Sequence, residues 1–164
     1  MGGLDFVPEV LRDLGVRILV HRIAIRPGKP FLFGLDRRGG RCTAVFGLPG
    51  NPVSVLATAL VLLLPFLRAW RGEPGAAERC VPVRLDHPIR RGAGLLHFVP
   101  GAVRVDRDGS LHAREVAIHG SGDYVSAARA HALLRVPGDG AVREAGSMLQ
   151  ADLLPGRQPM MEEP

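Results

Sequence analysis

The sequence predicts an α/β unit followed by a small all-β barrel. Three observations carry this. Up to residue 72, stretches of helical apolar spacing alternate with β-rich runs. Arg71 to Glu78 then holds Gly72, Pro74 and Gly75, the punctuation of a boundary between units. Beyond it come six short β-rich runs separated by glycines, with no strong helix, the pattern of a small barrel or sandwich. The expected layout is residues 1–72, 79–155 and a tail over 156–164.

Each element follows from local chemistry. Phe6, Val7, Val10, Leu11 and Leu14 repeat at helical spacing, with Asp5 as the expected N-cap and Gly15 as the stop. Arg17 to Ile25 is rich in Ile and Val and reads as one strand. Arg26-Pro27-Gly28-Lys29-Pro30 must be a loop, because two prolines and a glycine do not continue a central strand. Phe31 to Leu35 and Cys42 to Leu48 are two further strands around a Gly39-Gly40 turn. A helix is expected from Pro52 to about Trp70. Its apolar run, Val53 to Leu67, falls short of the ~20 residues of a membrane span, so it is expected to be buried on most sides within protein, with no membrane partner. In the second unit the runs are Cys80 to Leu85, Leu95 to Val99, Ala102 to Asp106, Ser110 to Val116, Ala132 to Val136 and Met148 to Leu153. Asp108-Gly109 is a hairpin turn between two of them.

The chain has 164 residues, a net charge of +5 and 46% hydrophobic content, so it is globular and basic. Its arginines are scattered, and at 5% its aromatics are too few for base-stacking platforms, so no nucleic-acid partner is expected. Cys42 and Cys80 have no Cys-x-x-Cys spacing, and the six histidines show no metal-ligand spacing. A reduced, cytoplasmic protein is expected.

Two segments carry chemistry. In Gly47-Leu48-Pro49-Gly50-Asn51-Pro52-Val53-Ser54 a strand ends, Pro49-Gly50 turns, Asn51 caps and Pro52 opens a helix. The N–H groups of Val53 and Ser54 are expected to be free for an anion at the helix end. In Arg22 to Pro30, a straight strand would put Arg22 and Arg26 on one face, about 13 Å apart at ~3.3 Å per residue. Lys29, the one lysine among 21 basic residues, follows on the turn. Arginine forks and a lysine point charge suit an elongated anionic ligand. A capped helix and a solvated edge strand are the bland alternatives.

Together, Ala24 to Phe31 and Phe46 to Ser54 resemble the paired signature of the molybdopterin molybdenumtransferases, the MoeA/gephyrin family. Asp5-Phe6 and Leu14-Gly15 resemble the stretch before it, and the region after Cys80 resembles the family's C-terminal barrel more loosely, with Gly120-Ser121 near the expected place. The resemblance implies a partial molybdopterin-binding domain of MogA-like fold. It implies a transferase of molybdenum cofactor biosynthesis that inserts molybdenum from molybdate into adenylylated molybdopterin and releases AMP, with Mg2+. Asp5 falls on a carboxylate the family needs, as catalytic residue and candidate metal ligand. Arg22 and Arg26 fall on basic, anion-holding positions, with Lys29 in the same loop. Pro49 and Pro52 shape the turn that helps hold molybdate, with Gly50, Asn51 and Ser54 beside them. A homodimer is implied for the full-length family. The family's Gly-rich loop should precede Asp5, where only Gly2-Gly3-Leu4 stand. A missing N-terminal half is therefore expected, from the same gene or a second chain. The alternative is a non-catalytic anion-binding module or inactive fragment.

Overall fold

A computed structural model describes residues 5–75, 80–120 and 123–161. Gly2-Gly3-Leu4 and Ser121 lie outside them. Helix α1 (Val7–Asp13) starts after Phe6, which stands at the N-cap position with no side-chain cap. Asp5 is therefore not the cap expected from its residue type: Pro8 at the helix start fixes the first turn one residue later.

Strands β1 (Arg17–His21), β3 (Leu32–Arg38) and β4 (Arg41–Gly47) form a three-stranded antiparallel sheet in the order β1-β3-β4. The predicted strand from Arg17 to Ile25 breaks at Arg22, whose φ of 63° lies in the left-handed region. The chain then reaches β2 (Ile25–Arg26), which leaves this sheet altogether and pairs in parallel with the second unit. The common face proposed for Arg22 and Arg26 is lost with that break, because strand alternation does not survive a left-handed residue.

After β4 the chain turns into a 19-residue helix, Pro52–Trp70, in three parts: α2 (Pro52–Thr58), a π-helical turn (Ala59–Leu63) and α3 (Leu64–Trp70). The π turn has a local cause. Pro65 has no N–H for the carbonyl one turn back, and its ring crowds that carbonyl. Widening the turn so that the Leu64 N–H reaches Ala59 O accommodates it. The helix is thus long and apolar enough, by length and composition, to cross a membrane, in contrast to the shorter run expected. Nor is it buried on most sides. Val53, Ser54, Ala57, Thr58 and Leu60 are buried, and no residue of α3 is. One face meets the sheet through aromatic contacts, Phe66 lying 5.0 Å from Phe46 and 5.7 Å from Phe33 between ring centroids. Another meets the barrel. A three-stranded sheet covers too little of a helix this apolar to do more, and Trp70 is left 63% exposed.

Five strands close the barrel: β5 (Cys80–Leu85), β8 (Leu111–Glu115), β7 (Leu96–Val105), β9 (Ala132–Val136) and β11 (Met148–Leu153). Closure comes from the β7–β9 pairing, and β5–β8 is the one parallel pair in the ring. Alternate residues point inward, and Val83, Leu85, Val99, Val103, Ala113, Leu134 and Leu149 form the core. The runs expected at Leu95 to Val99 and Ala102 to Asp106 are one strand. The Pro100 carbonyl accepts from Val116 N, just past the end of β8, so its nitrogen faces the same side, where no ladder donor is required. Gly101 fills the tight point, since a Cβ there would stand 2.8 Å from Leu134.

Smaller elements were not all expected. β6 (Ile89–Arg90) pairs with β10 (Val142–Arg143), and a short helix, α4 (Tyr124–Ala127), precedes β9. Within the predicted tail, β12 (Met160–Met161) pairs in parallel with Arg104–Val105. The two units also share a core: Ala57 and Leu60 of the long helix pack with Phe98, Ala130, Leu133 and Leu154.

Candidate anion cleft between Asp5 and the Pro49 turn

The cleft is assembled by the end of β1, the start of β3 and the turn after β4. His21 pairs with Leu32, and Leu32 pairs with Gly47. This brings His21, Pro30 and the turn Gly47 to Gly50 around a cleft of about 270 Å3, and Asp5, Val7 and Pro8 close its remaining side. Pro49 is buried and Gly50 exposed, so the turn has a stiff base and an open backbone tip.

Of the residues singled out from the sequence, Asp5, Pro49 and Gly50 line this cleft. Asn51 caps α2: its Oδ1 accepts from Ser54 N at 3.1 Å and from Ser54 Oγ at 3.3 Å. The Ser54 N–H, expected to be free for a ligand, is consumed by that cap, and Ser54 is buried. The physical reason is that a good N-cap satisfies the donors an anion would otherwise take. Pro52 faces a different cavity, at the barrel junction. Arg22, Arg26 and Lys29 are exposed and do not line the cleft.

The basic loop is nevertheless tied to the same helix. Arg22 N donates to Phe31 O, Ile23 N to Lys29 O and Phe31 N to Gly28 O, which folds residues 22–31 into a closed loop. Arg26–Pro27 is a cis bond. Gly28, at φ 122°, presses on the helix so closely that a Cβ would stand 2.7 Å from Thr58 Cγ2. Thr58 is itself held by its hydroxyl donating to Ser54 O at 2.8 Å. The basic loop therefore sits about two helical turns from the Asn51 cap.

Sequence reasoning passed over His21, reading it as an ordinary surface or packing histidine. No local signal marks it, because its place in the cleft depends on pairing with β3. It also passed over His97, whose neighbourhood joins the loop to the barrel. Burial pushes the His97 imidazole pKa down, and the charges of Arg91 and Arg26 push it further, against a backbone hydrogen bond at Gly92 that opposes the shift.

Asp5 is exposed and makes no ion pair with the described residues, so its carboxylate is available to a cation. Among the described residues no group of three or more His, Cys, Asp or Glu converges to hold a metal. A single carboxylate is the arrangement magnesium uses when substrate phosphates supply other oxygens.

Residues 1–69 match the family model described as a probable molybdopterin binding domain, and residues 82–154 match the MoeA C-terminal region, domain IV. The molybdopterin molybdenumtransferase of Synechococcus elongatus is 47% identical over 100 residues, covering 60% of this chain and 23% of that protein. The one from Haemophilus influenzae is 32% identical, covering 74% of this chain and 29% of that protein. Among solved structures, the molybdopterin biosynthesis MoeA protein of Pyrococcus horikoshii superposes with a TM-score of 0.66 at 27% identity, covering 85% of this chain and 33% of that one. The chain thus spans between 23% and 34% of the length of the first curated relatives it matches. With a matching α/β segment, a matching barrel and relatives that agree on both, the chain belongs to the MoeA/gephyrin-like family.

Proposed function

We propose that this chain contributes to molybdenum cofactor biosynthesis, as the distal part of a molybdopterin molybdenumtransferase. The reaction proposed is insertion of molybdenum from molybdate into adenylylated molybdopterin, with release of AMP. One observation carries this: the Asp5–His21–Pro49 cleft lies beside a loop bearing Arg22, Arg26 and Lys29, which Gly28 seats on the helix that leaves the cleft.

In this reading the open backbone tip at Gly50 and the stiff Pro49 receive the oxyanion. Arg22, Arg26 and Lys29 attract and hold the phosphates of the pterin nucleotide, with Asn51, Pro52 and Ser54 supporting the turn from the helix side. Magnesium, when bound, supplies positive charge against those phosphates, and Asp5 is the residue that would hold it. His21, at the cleft wall, would face a bound oxyanion. The exposed apolar residues Phe6, Val7, Val10 and Leu14 on α1 and Leu19 on β1 are the face on which further sheet, from a preceding segment or a second chain, would pack.

Titration calorimetry with a pterin nucleotide tests the binding half. Charge-assisted hydrogen bonds contribute about 1.5–3 kcal/mol each, so Arg26→Ala should weaken binding about tenfold or more. Arg143→Ala, which removes an arginine paired with Asp139 on the barrel, should change little. Equal affinities for the two variants would reduce the loop to a solvated turn. The catalytic half is read in a chimera joining this chain to the preceding segments of a relative. There Asp5→Ala should abolish molybdenum insertion with the melting temperature unchanged.

A further inference from the structure

Apart from the Asp5 cleft, with which it shares no lining residue, a cavity of about 450 Å3 opens between the long helix and the barrel. Its polar lining is Arg68 from α3, Arg135 from β9, Asp152 from β11 and Arg157 from the segment after β11. Asp152 is buried at 8% exposure, and Arg135 neutralises it with two bonds, Nε to Oδ2 and Nη2 to Oδ1, each 2.7 Å. Arg68 and Arg157 have no ion-pair partner among the described residues. Three guanidinium groups thus face one carboxylate, leaving a net charge of +2 on the walls of one concave site.

The rest of the surroundings is apolar. Leu60, Val61 and Pro65 form one wall, and Leu154, Pro155 and Arg157 are shared with an adjoining, mostly apolar cavity of about 340 Å3 against Leu56 and Ala130. A cationic end continuous with an apolar trough is complementary to one kind of ligand: a doubly charged head on an apolar body. Both cavities lie in the size range of small-molecule sites. None of these four polar residues lines the Asp5 cleft.

We propose that this junction is a second small-molecule site, taking a phosphate monoester with an apolar body. Arg68 and Arg157 grip the phosphate, and the body lies against Leu154, Leu56 and Ala130. The Arg135–Asp152 pair forms the floor and holds β9 and β11 in place. Because the ligand touches both the long helix and the barrel, its binding clamps the two units together.

Phenyl phosphate and inorganic phosphate are the probes, titrated calorimetrically into the whole chain. Phenyl phosphate should bind about tenfold more tightly than inorganic phosphate, because only it fills the apolar trough. Arg68→Ala and Arg157→Ala should each weaken it at least about fivefold, and the double variant should abolish it with an unchanged far-UV circular dichroism spectrum. Arg26→Ala, which acts on the other site, should leave it unaltered. Should the double variant disturb the spectrum, Arg68→Gln with Arg157→Gln, which keeps polar stems at both places, gives the same reading. Wild-type affinity in the double variants, equal binding of the two probes, or loss on Arg26→Ala would each overturn the proposal.

Discussion

Arg26 stands beside His97 in the parallel register that joins β2 to β7. A residue from the basic loop and a buried residue of the barrel are thereby locked side by side, and the charge of Arg26 helps depress the His97 pKa. The first prediction concerns this pair. Followed by NMR, the His97 imidazole should titrate below the usual ~6.5, and Arg26→Ala should raise its midpoint towards that value without reaching it, since burial is the larger cause. A folded-state pKa below the unfolded one means that stability is full above the unfolded value and declines as the pH falls through it towards the folded one. Arg26→Ala should therefore lessen the loss of stability as the pH falls below about 6.5. An unshifted His97 midpoint in the variant would break the link between the loop and the barrel.

Gly28 is the second point of strain. At φ 122°, and with any Cβ falling 2.7 Å from Thr58 Cγ2, it admits no side chain. Gly28→Ala should cost about 1–3 kcal/mol from crowding and backbone strain together. Thr58→Ser removes one crowding methyl and leaves Ile25 Cδ1, 2.8 Å from the same Cβ, and the backbone strain, so it should recover part of the loss. The urea midpoints of the four proteins in that double-mutant cycle measure the coupling.

Removing one member of the Arg135–Asp152 pair is the third test. Asp152 is buried, so Arg135→Ala strands a carboxylate in the barrel wall and should cost about 2–4 kcal/mol, somewhat below the loss for a fully enclosed pair because Arg135 itself is one-third exposed. Arg135→Met combined with Asp152→Leu should be markedly more stable than Arg135→Ala alone. Thermal melts of the two variants check the order.

Asp123 gives a pH test at the other extreme. Its carboxylate accepts from the His119 and Ser126 backbone N–H groups at 3.0 Å each, and these bonds pull its pKa from 3.8 to about 2. The interaction is complete above the unfolded value and is lost as the pH falls towards the folded one. Carboxyl chemical shifts should show the midpoint near 2, and Asp123→Asn should remove the acid-dependent loosening of the turn before β9.

Much of this protein was legible locally. Cys80–Leu85, Ala132–Val136 and Met148–Leu153 lie where their β-rich runs placed them, and Asn51 caps the long helix as its residue type and the following Pro52 indicated. Each of these depends on neighbours within a few residues, and the paired motifs around Arg26 and Pro49 carry the family likeness in the same local way. Tertiary structure decided the rest. Whether Ile25–Arg26 continues β1 or crosses to Leu96–His97 depends on a barrel strand some seventy residues away. Pro100 is tolerated inside a strand because β8 ends beside it, and Ser54 loses its N–H to a cap because Asn51 takes it before any ligand does. His21 enters the cleft only through its pairing with β3, and Arg68 and Arg157 come to line one cavity only where the helix packs on the barrel. Periodicity and capping act over one or two turns of chain, whereas strand partners and cavity walls are chosen by burial of faces far apart in sequence.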